Sequence, residues 1–183
     1  MRTAPLKAVR ATLGVISAVA IAMVSFAPSS SAISIPEKST QTQMCTTILG
    51  KPDPITRTAP ITSVTCTTDP IVAQTSGRAA AASSVLLIRF WEHANYTGYN
   101  NAVYGAPCDS AGYGISNMFS LSWYPGSQPH NFTSYRVFNG CNQVSLFMNT
   151  NYGGAASGWR TGDSANVGNP YNDWWGSTLF RRL

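Results

Sequence analysis

Short apolar runs dominate the chain after residue 84. Gly, Asn, Pro or Ser bounds each run, and no window keeps a helical apolar period for three turns. The runs are VLLIRFW at 85–91, NMFSLSWY at 117–124, YRVF at 135–138 and QVSLFM at 143–148. Short runs between turn-forming residues are typical of strands in a β-sandwich or barrel. The pattern therefore predicts an all-β domain over residues 85–183.

An earlier segment, residues 33–72, predicts a smaller β structure. From residue 44 it alternates Thr with Ile and Val around two cysteines, and a loop with three prolines separates its halves. An isolated hairpin is marginal in water, so a disulfide between the two predicted strands is physically sensible. We therefore expect an N-terminal β segment that is clipped by a disulfide.

Residues 73–84 connect this segment to the main domain and consist mostly of Ala and Ser. Alanine favours a short helix, but no large apolar stripe is present to hold such a helix against a neighbour. We predict a linker here.

The beginning of the chain has the layout of a secretory signal peptide. Three basic residues in the first ten positions precede an uncharged, apolar run from residue 11 to residue 27. Small residues follow, and we expect cleavage after Ala32, with Ala27 as the second choice. The alternative is a membrane anchor, for which the run is at the short limit. We predict residues 1–32 to be a signal peptide and the mature protein to be secreted, with no membrane association.

Removing this signal changes the charge of the protein. The full chain has a net charge of +5, but nine basic residues against seven acidic ones remain after residue 32, a net charge of +2. Nucleic-acid binding needs a concentrated basic face, and the only basic run left is Arg181-Arg182. We therefore expect no nucleic-acid partner.

All four cysteines lie after the predicted signal, and an even number in an exported chain indicates two disulfides. Four cysteines allow three pairings. The predicted linker separates two local pairs, which favours Cys45–Cys66 and Cys108–Cys141. Metal binding by cysteine is disfavoured, because the chain has no CxxC motif.

One short motif occurs twice in the β domain. Both copies read aromatic, four residues, Tyr, one residue, Gly. The positions are Trp91, Tyr96 and Gly98 in the first copy and Phe147, Tyr152 and Gly154 in the second. This spacing predicts a tight hairpin in which the Tyr ring packs over the bend and Gly adopts a conformation that a side chain would obstruct.

A polar tail follows each copy, at 129–137 and at 172–180. The hairpin and tail together resemble the βγ-crystallin Greek-key motif, whose tail reads two Asn/Asp, two further residues, Ser/Thr and Ser. The resemblance implies a two-motif Greek-key β-sandwich over about 85–183, with motifs at about 85–138 and 142–183. The chain looks most like exported actinobacterial crystallin-like proteins, which include metalloproteinase inhibitors and killer-toxin-like proteins.

Calcium-binding crystallins take oxygen ligands from these tails. Here the second tail keeps Asn172 and Asp173 but has Gly176 at the hydroxyl position, and the first keeps Thr133 but has no acid. If ligands cross between motifs, the resemblance implies one weak calcium site made of Thr133, Asn172 and Asp173. The alternative is that these side chains only hold their loops by hydrogen bonds to the backbone.

The sequence does not indicate an enzyme. It has no GxSxG or HExxH motif, and His93 and His130 are its only histidines. The acids of the β domain are widely spaced, so a pair facing one cleft is not expected.

We therefore expect a non-catalytic binding module, and the resemblance makes a metalloproteinase inhibitor the first interpretation. An inhibitor needs a rigid exposed loop, for which 105–130 is the candidate. The alternatives are a structural protein with or without calcium, and a carbohydrate-binding or toxin-like module. Partners would then be an extracellular protease or a polysaccharide. Trp174 and Trp175 are adjacent, so at least one is expected to be partly exposed.

Overall fold

The computed structural model describes residues 42–121 and 132–183, which form nine strands and one α-helix. The predicted signal peptide lies outside the described residues. The strands are β1 (Met44–Leu49), β2 (Ile61–Thr67), β3 (Val85–His93), β4 (Thr97–Gly105), β5 (Tyr113–Ile115), β6 (Ser134–Val137), β7 (Gln143–Phe147), β8 (Arg160–Thr161) and β9 (Ser177–Arg181), and the helix is α1 (Pro70–Ala81).

The strands form two sheets, in the orders β2-β1-β4-β3-β6 and β5-β9-β7-β8. Strand β5 belongs to the first motif but pairs antiparallel with β9 of the second. In return, Tyr135 of the first motif forms a bridge with Ser164 of the second. Each motif therefore gives a segment to the other motif's sheet, as Greek-key strands do. The predicted all-β fold, a two-motif Greek-key sandwich, is confirmed.

Aromatic side chains fill the space between the two sheets. The rings of Phe90, Phe132 and Trp175 lie 5.1 to 6.0 Å apart, centroid to centroid. Trp175 donates its indole N–H to the carbonyl of Phe132 at 2.7 Å, so its only polar atom is satisfied in the core. Burial of each such ring stabilises the fold by about 1.5–3 kcal/mol.

Two disulfides join Cys45 to Cys66 and Cys108 to Cys141. This is the pairing that the sequence favours. The first links β1 to β2, and the second links the segment before β5 to the segment before β7. Closing loops with sequence separations of 21 and 33 residues stabilises the fold by about 3–4 kcal/mol each in the chain-entropy model.

Residues 44–67, here called the N-terminal arm, are part of the sandwich. Strand β1 pairs in parallel with β4 at the edge of the first sheet. Further along, Gly114 of β5 donates to the carbonyl of Arg57 at 2.7 Å and accepts from the amide of Ala59 at 2.9 Å. The arm therefore extends both sheets. The disulfide-clipped β segment is present as predicted, but its strands pair with strands of the main domain.

The segment predicted to be a linker is largely helical, and that prediction is wrong for residues 73–81. Helix α1 begins after Asp69, whose carboxylate accepts from two amides of the first turn. Ala80 is buried against Ala102 and Tyr104 on the outer face of the first sheet. Small side chains let the helix lie close to that sheet. Within the described ranges, no helix is long and apolar enough to cross a membrane.

Candidate metal site between the two motifs

The first hairpin has the geometry that its motif predicts. The rings of Trp91 and Tyr96 meet edge to face, with centroids 5.3 Å apart. Asn95, Tyr96 and Gly98 all have positive φ, and a Cβ on Gly98 would lie 2.7 Å from the His93 ring. Positive φ costs residues with a Cβ about 1–2 kcal/mol, so glycine is the natural residue there.

The second hairpin repeats this arrangement. Phe147 and Tyr152 meet edge to face at 5.7 Å, and Gly154 has a φ of 72°. A Cβ on Gly154 would lie 3.0 Å from the Asn149 side chain. The two copies of the motif are therefore equivalent in structure as well as in sequence.

A serine from each tail holds its own motif's hairpin. Ser134 donates its hydroxyl to the carbonyl of His93 at 2.6 Å and accepts from the amide of Tyr96 at 3.1 Å. Ser177 makes the same bonds in the second motif, to Asn149 at 2.6 Å and from Tyr152 at 2.9 Å. Neither serine is among the site residues predicted from the sequence, although both belong to the tail pattern. The available signal was their identical place in the two tails.

The residue before the first serine reaches across to the other motif. Thr133, which is 6% exposed, donates its hydroxyl to Oδ1 of Asp173 at 2.9 Å. Asn172 donates its side-chain amide to Oδ2 of the same carboxylate at 2.9 Å. The structure thus brings together the three residues that the sequence predicted as candidate ligands, although Thr133 lies 40 residues before Asp173 in the chain.

The carbonyl oxygen of the Asn172 side chain is the atom most relevant to cation binding. This Oδ1 is buried and accepts no hydrogen bond from the described residues. A buried carbonyl oxygen without a partner carries an uncompensated desolvation cost. Together with the Asp173 carboxylate and the Thr133 hydroxyl it makes a set of hard oxygens, the ligand type that Ca²⁺ prefers. In donor type the residues present suit a calcium ion at this one place, where both Asp173 oxygens accept hydrogen bonds, from Thr133 and from Asn172.

The corresponding position in the second tail does not offer a second site. Gly176 stands where Thr133 stands in the first tail, and an added Cβ would lie 2.6 Å from the carbonyl carbon of Asn149 and 2.7 Å from the amide of Thr150. Both are backbone atoms, so a hydroxyl-bearing side chain does not fit. Over the described residues, no group of three or more His, Cys, Asp and Glu side chains is positioned to hold a metal.

Two exposed tryptophans lie on the second motif. Trp174, next to Asp173, is 56% exposed, whereas Trp175 is 1% exposed. The expectation that one of this adjacent pair reaches the surface is met. Trp159 is 41% exposed, and the Arg181 guanidinium lies 4.0 Å from its ring centroid.

The loop considered for protease inhibition is partly structured. Within residues 105–121, Tyr113–Ile115 form the buried strand β5, and Met118 and Leu121 are in the core. Exposed positions are confined to short stretches such as residues 106–107 and 109–110. Residues 122–131 lie outside the described residues, so this part of the expectation is untested.

Comparisons with solved structures found βγ-crystallin domains. The chain is 24% identical to a domain from Clostridium beijerinckii over 52% of this chain and 97% of that one, with a TM-score of 0.39. It is 21% identical to a domain from Flavobacterium johnsoniae over 52% and 94%, with a TM-score of 0.38. No protein-family model matches the chain, and no curated protein matches it.

The sandwich has a βγ-crystallin-like fold. At these TM-scores the comparisons add no weight, and the assignment rests on the strand exchange, the two hairpins and the two serine-held tails. The matches cover about half of the chain.

Proposed function

We propose that the protein is a secreted, non-catalytic βγ-crystallin module that binds one calcium ion between its two motifs. The observation that carries the proposal is the contact between Thr133 and Asp173, beside the unpartnered Oδ1 of Asn172. A bound cation would draw the two tails together, since one tail supplies the hydroxyl and the other the carboxylate and the amide oxygen. Calcium would hold the two tails together by electrostatic attraction and would take part in no reaction.

The affinity follows from the charge of the ligand set. Asp173 is the one carboxylate of the two tails, and the remaining oxygens are neutral. A site with few charges has a dissociation constant toward ~10⁻⁴ M, which is the range of extracellular calcium modules. Such a site is filled only outside the cell, in agreement with the predicted export.

A non-catalytic role is supported by the surroundings of the candidate bases and acids. His93 is exposed, and its nearest acid is its neighbour Glu92, with 3.7 Å between Nε2 and Oε2. Asp109 accepts hydrogen bonds from the amides of Ala111 and Gly112 and so holds a turn, whereas Asp163 accepts from the amide of Val137 at the end of β6. No nucleophile with a base and an orienting acid is found in the part of the chain that the structure describes.

Calorimetry of calcium binding tests the proposal. We expect one site, no comparable magnesium binding, and a rise of a few degrees in the melting temperature at ~10 mM calcium. That concentration is a hundredfold excess over a dissociation constant of ~10⁻⁴ M and stabilises by about 2.7 kcal/mol. D173N and T133A should abolish the calcium-induced shift, and T133S should keep it. D69N is the matched control, since Asn also caps the exposed start of α1.

The readout is the shift caused by calcium, because D173N also removes a hydrogen bond of the metal-free protein. An unchanged wild-type melting curve in calcium would show that the tails only fix their loops. Equal calcium shifts in D173N and D69N would place any binding elsewhere.

The inhibitor interpretation stays a prediction of the resemblance. None of the contacts described above favours it over calcium binding. A panel of metalloproteinases, assayed with and without calcium, separates the two interpretations.

A further inference from the structure

A groove runs between helix α1 and the outer face of the first sheet. Its volume is about 500 Å³. Gln74 and Arg78 line it from the helix, and Thr46, Arg89 and Asn100 line it from the strands. The groove exists only because the N-terminal arm and the helix are added to the sandwich, so it is independent of the calcium site.

The charge of this groove is positive and uncompensated. Arg78 is exposed in the last turn of α1, and Arg89 lies on β3. Neither arginine forms an ion pair with an acid of the described chain. By contrast Arg136, which lies opposite Arg89 on β6, has Asp163 at 3.8 Å and the Tyr96 ring at 4.0 Å.

The acids closest in sequence to the groove are engaged with other groups. Asp69 accepts hydrogen bonds from the amides of Ile71 and Val72 at the start of α1. Glu92 accepts from the amide of Tyr99. Neither of these carboxylates lines the groove.

Arg89 has an unused donor. Its Nε is buried and has no acceptor among the described residues, and its nearest aromatic contact is loose, at 5.8 Å from the Trp91 ring centroid. A buried N–H without an acceptor is costly, particularly on a charged group. A ligand oxygen in the groove would supply the missing bond if the Arg89 side chain turned to bring this N–H to the surface, and the turn would relieve the cost of burial.

We propose that this groove binds a phosphate or sulfate group. Two guanidinium groups carry two positive charges, which match a doubly charged oxyanion better than a single carboxylate. Guanidinium forks pair with such oxygens through parallel hydrogen bonds. Gln74, Asn100 and Thr46 add neutral donors around the same space.

Titration of the protein with inorganic phosphate and with sulfate tests this site. The arginine Nε–H resonances are followed by nuclear magnetic resonance at constant ionic strength, with chloride as the balancing anion and without calcium. We expect saturable shifts of the Arg78 and Arg89 signals and weaker binding of acetate. R78Q and R89Q should each weaken phosphate binding about tenfold, since each removes a charge-assisted hydrogen bond.

R182Q is the matched control, because Arg182 is exposed and does not line the groove. It should change the affinity less than twofold. Because Arg78 is exposed on the helix, R78Q should leave the fold intact. It therefore tests phosphate binding in the groove even if R89Q unfolds. Shifts that do not saturate, acetate binding as tight as phosphate, or an equal loss in R182Q would each overturn the proposal. None of these outcomes bears on the calcium test.

Discussion

The two motif tails end in the same serine but differ in the residue before it. Ser134 and Ser177 make matching pairs of hydrogen bonds to their hairpins. The preceding residue is Thr133 in the first tail, where its hydroxyl contacts Asp173, and Gly176 in the second, where backbone atoms leave no room for a side chain. The difference teaches that the serine has one role in both tails, whereas the position before it makes a contact with the other motif in the first tail and is restricted to glycine by packing in the second.

The largest expected effect comes from filling the glycine of the second tail. G176A should lower the free energy of unfolding by about 2–3 kcal/mol, because the new Cβ meets backbone rather than a movable side chain. G158A is the control, since Gly158 has a φ of 67° but no atom within 4 Å of a Cβ. It should cost about 1 kcal/mol, from its φ alone. Equal costs in urea unfolding would contradict the tight packing at Gly176.

The two serines should be equivalent. S134A and S177A should each destabilise by about 1–2 kcal/mol, because each leaves the hairpin amide and carbonyl without a partner. S63A, at an exposed position of β2, should change the melting temperature little. A large loss of stability in only one of the two tail variants would contradict the structural equivalence of the motifs.

The hairpin glycines also test whether the two motifs are structurally equivalent, with smaller expected losses of stability. G98A and G154A should each cost roughly 1 kcal/mol, because both positions have positive φ and the nearest side chains can move aside. Chemical denaturation measures both. A variant as stable as the wild type would show that its hairpin does not need the left-handed conformation.

The smallest effects concern the residues after the serines. Thr178 donates its hydroxyl to the carbonyl of Ser145 at 3.1 Å, whereas the buried hydroxyl of Tyr135 has no partner among the described residues. T178V should cost about 0.5–1.5 kcal/mol, and Y135F should be neutral or slightly stabilising. Thermal melting of both variants checks this contrast, and a clear loss in Y135F would contradict it.

Alkaline pH sharpens the Tyr135 prediction. Burial raises the pKa of Tyr135 to about 12 in the folded protein, against about 10 for an unfolded tyrosine. Folding therefore favours the neutral form of Tyr135. Its contribution to the free energy of unfolding is fully present below pH 10 and is lost as the pH rises toward 12. Wild-type stability should fall more steeply than that of Y135F across this range, as followed by urea unfolding at fixed pH values.

Much of the fold was predictable because its signals are local. The aromatic, Tyr and Gly spacing specifies each hairpin through backbone geometry within eight residues. The disulfide pairing followed from the separation of the cysteines along the chain. The helix α1 was missed because its buried side is made of Ala80 and other small residues, which carry almost no hydropathy signal.

By itself the sequence determined the two hairpins, the tails and hence the crystallin-like sandwich. Tertiary structure decided where the N-terminal arm lies, since its pairing with β4 and with Gly114 depends on edges that exist only after the sandwich forms. It also decided that Thr133 meets Asp173 across 40 residues. Local conformation is encoded by neighbours in the chain, whereas contacts between distant segments depend on the shape and burial of both partners.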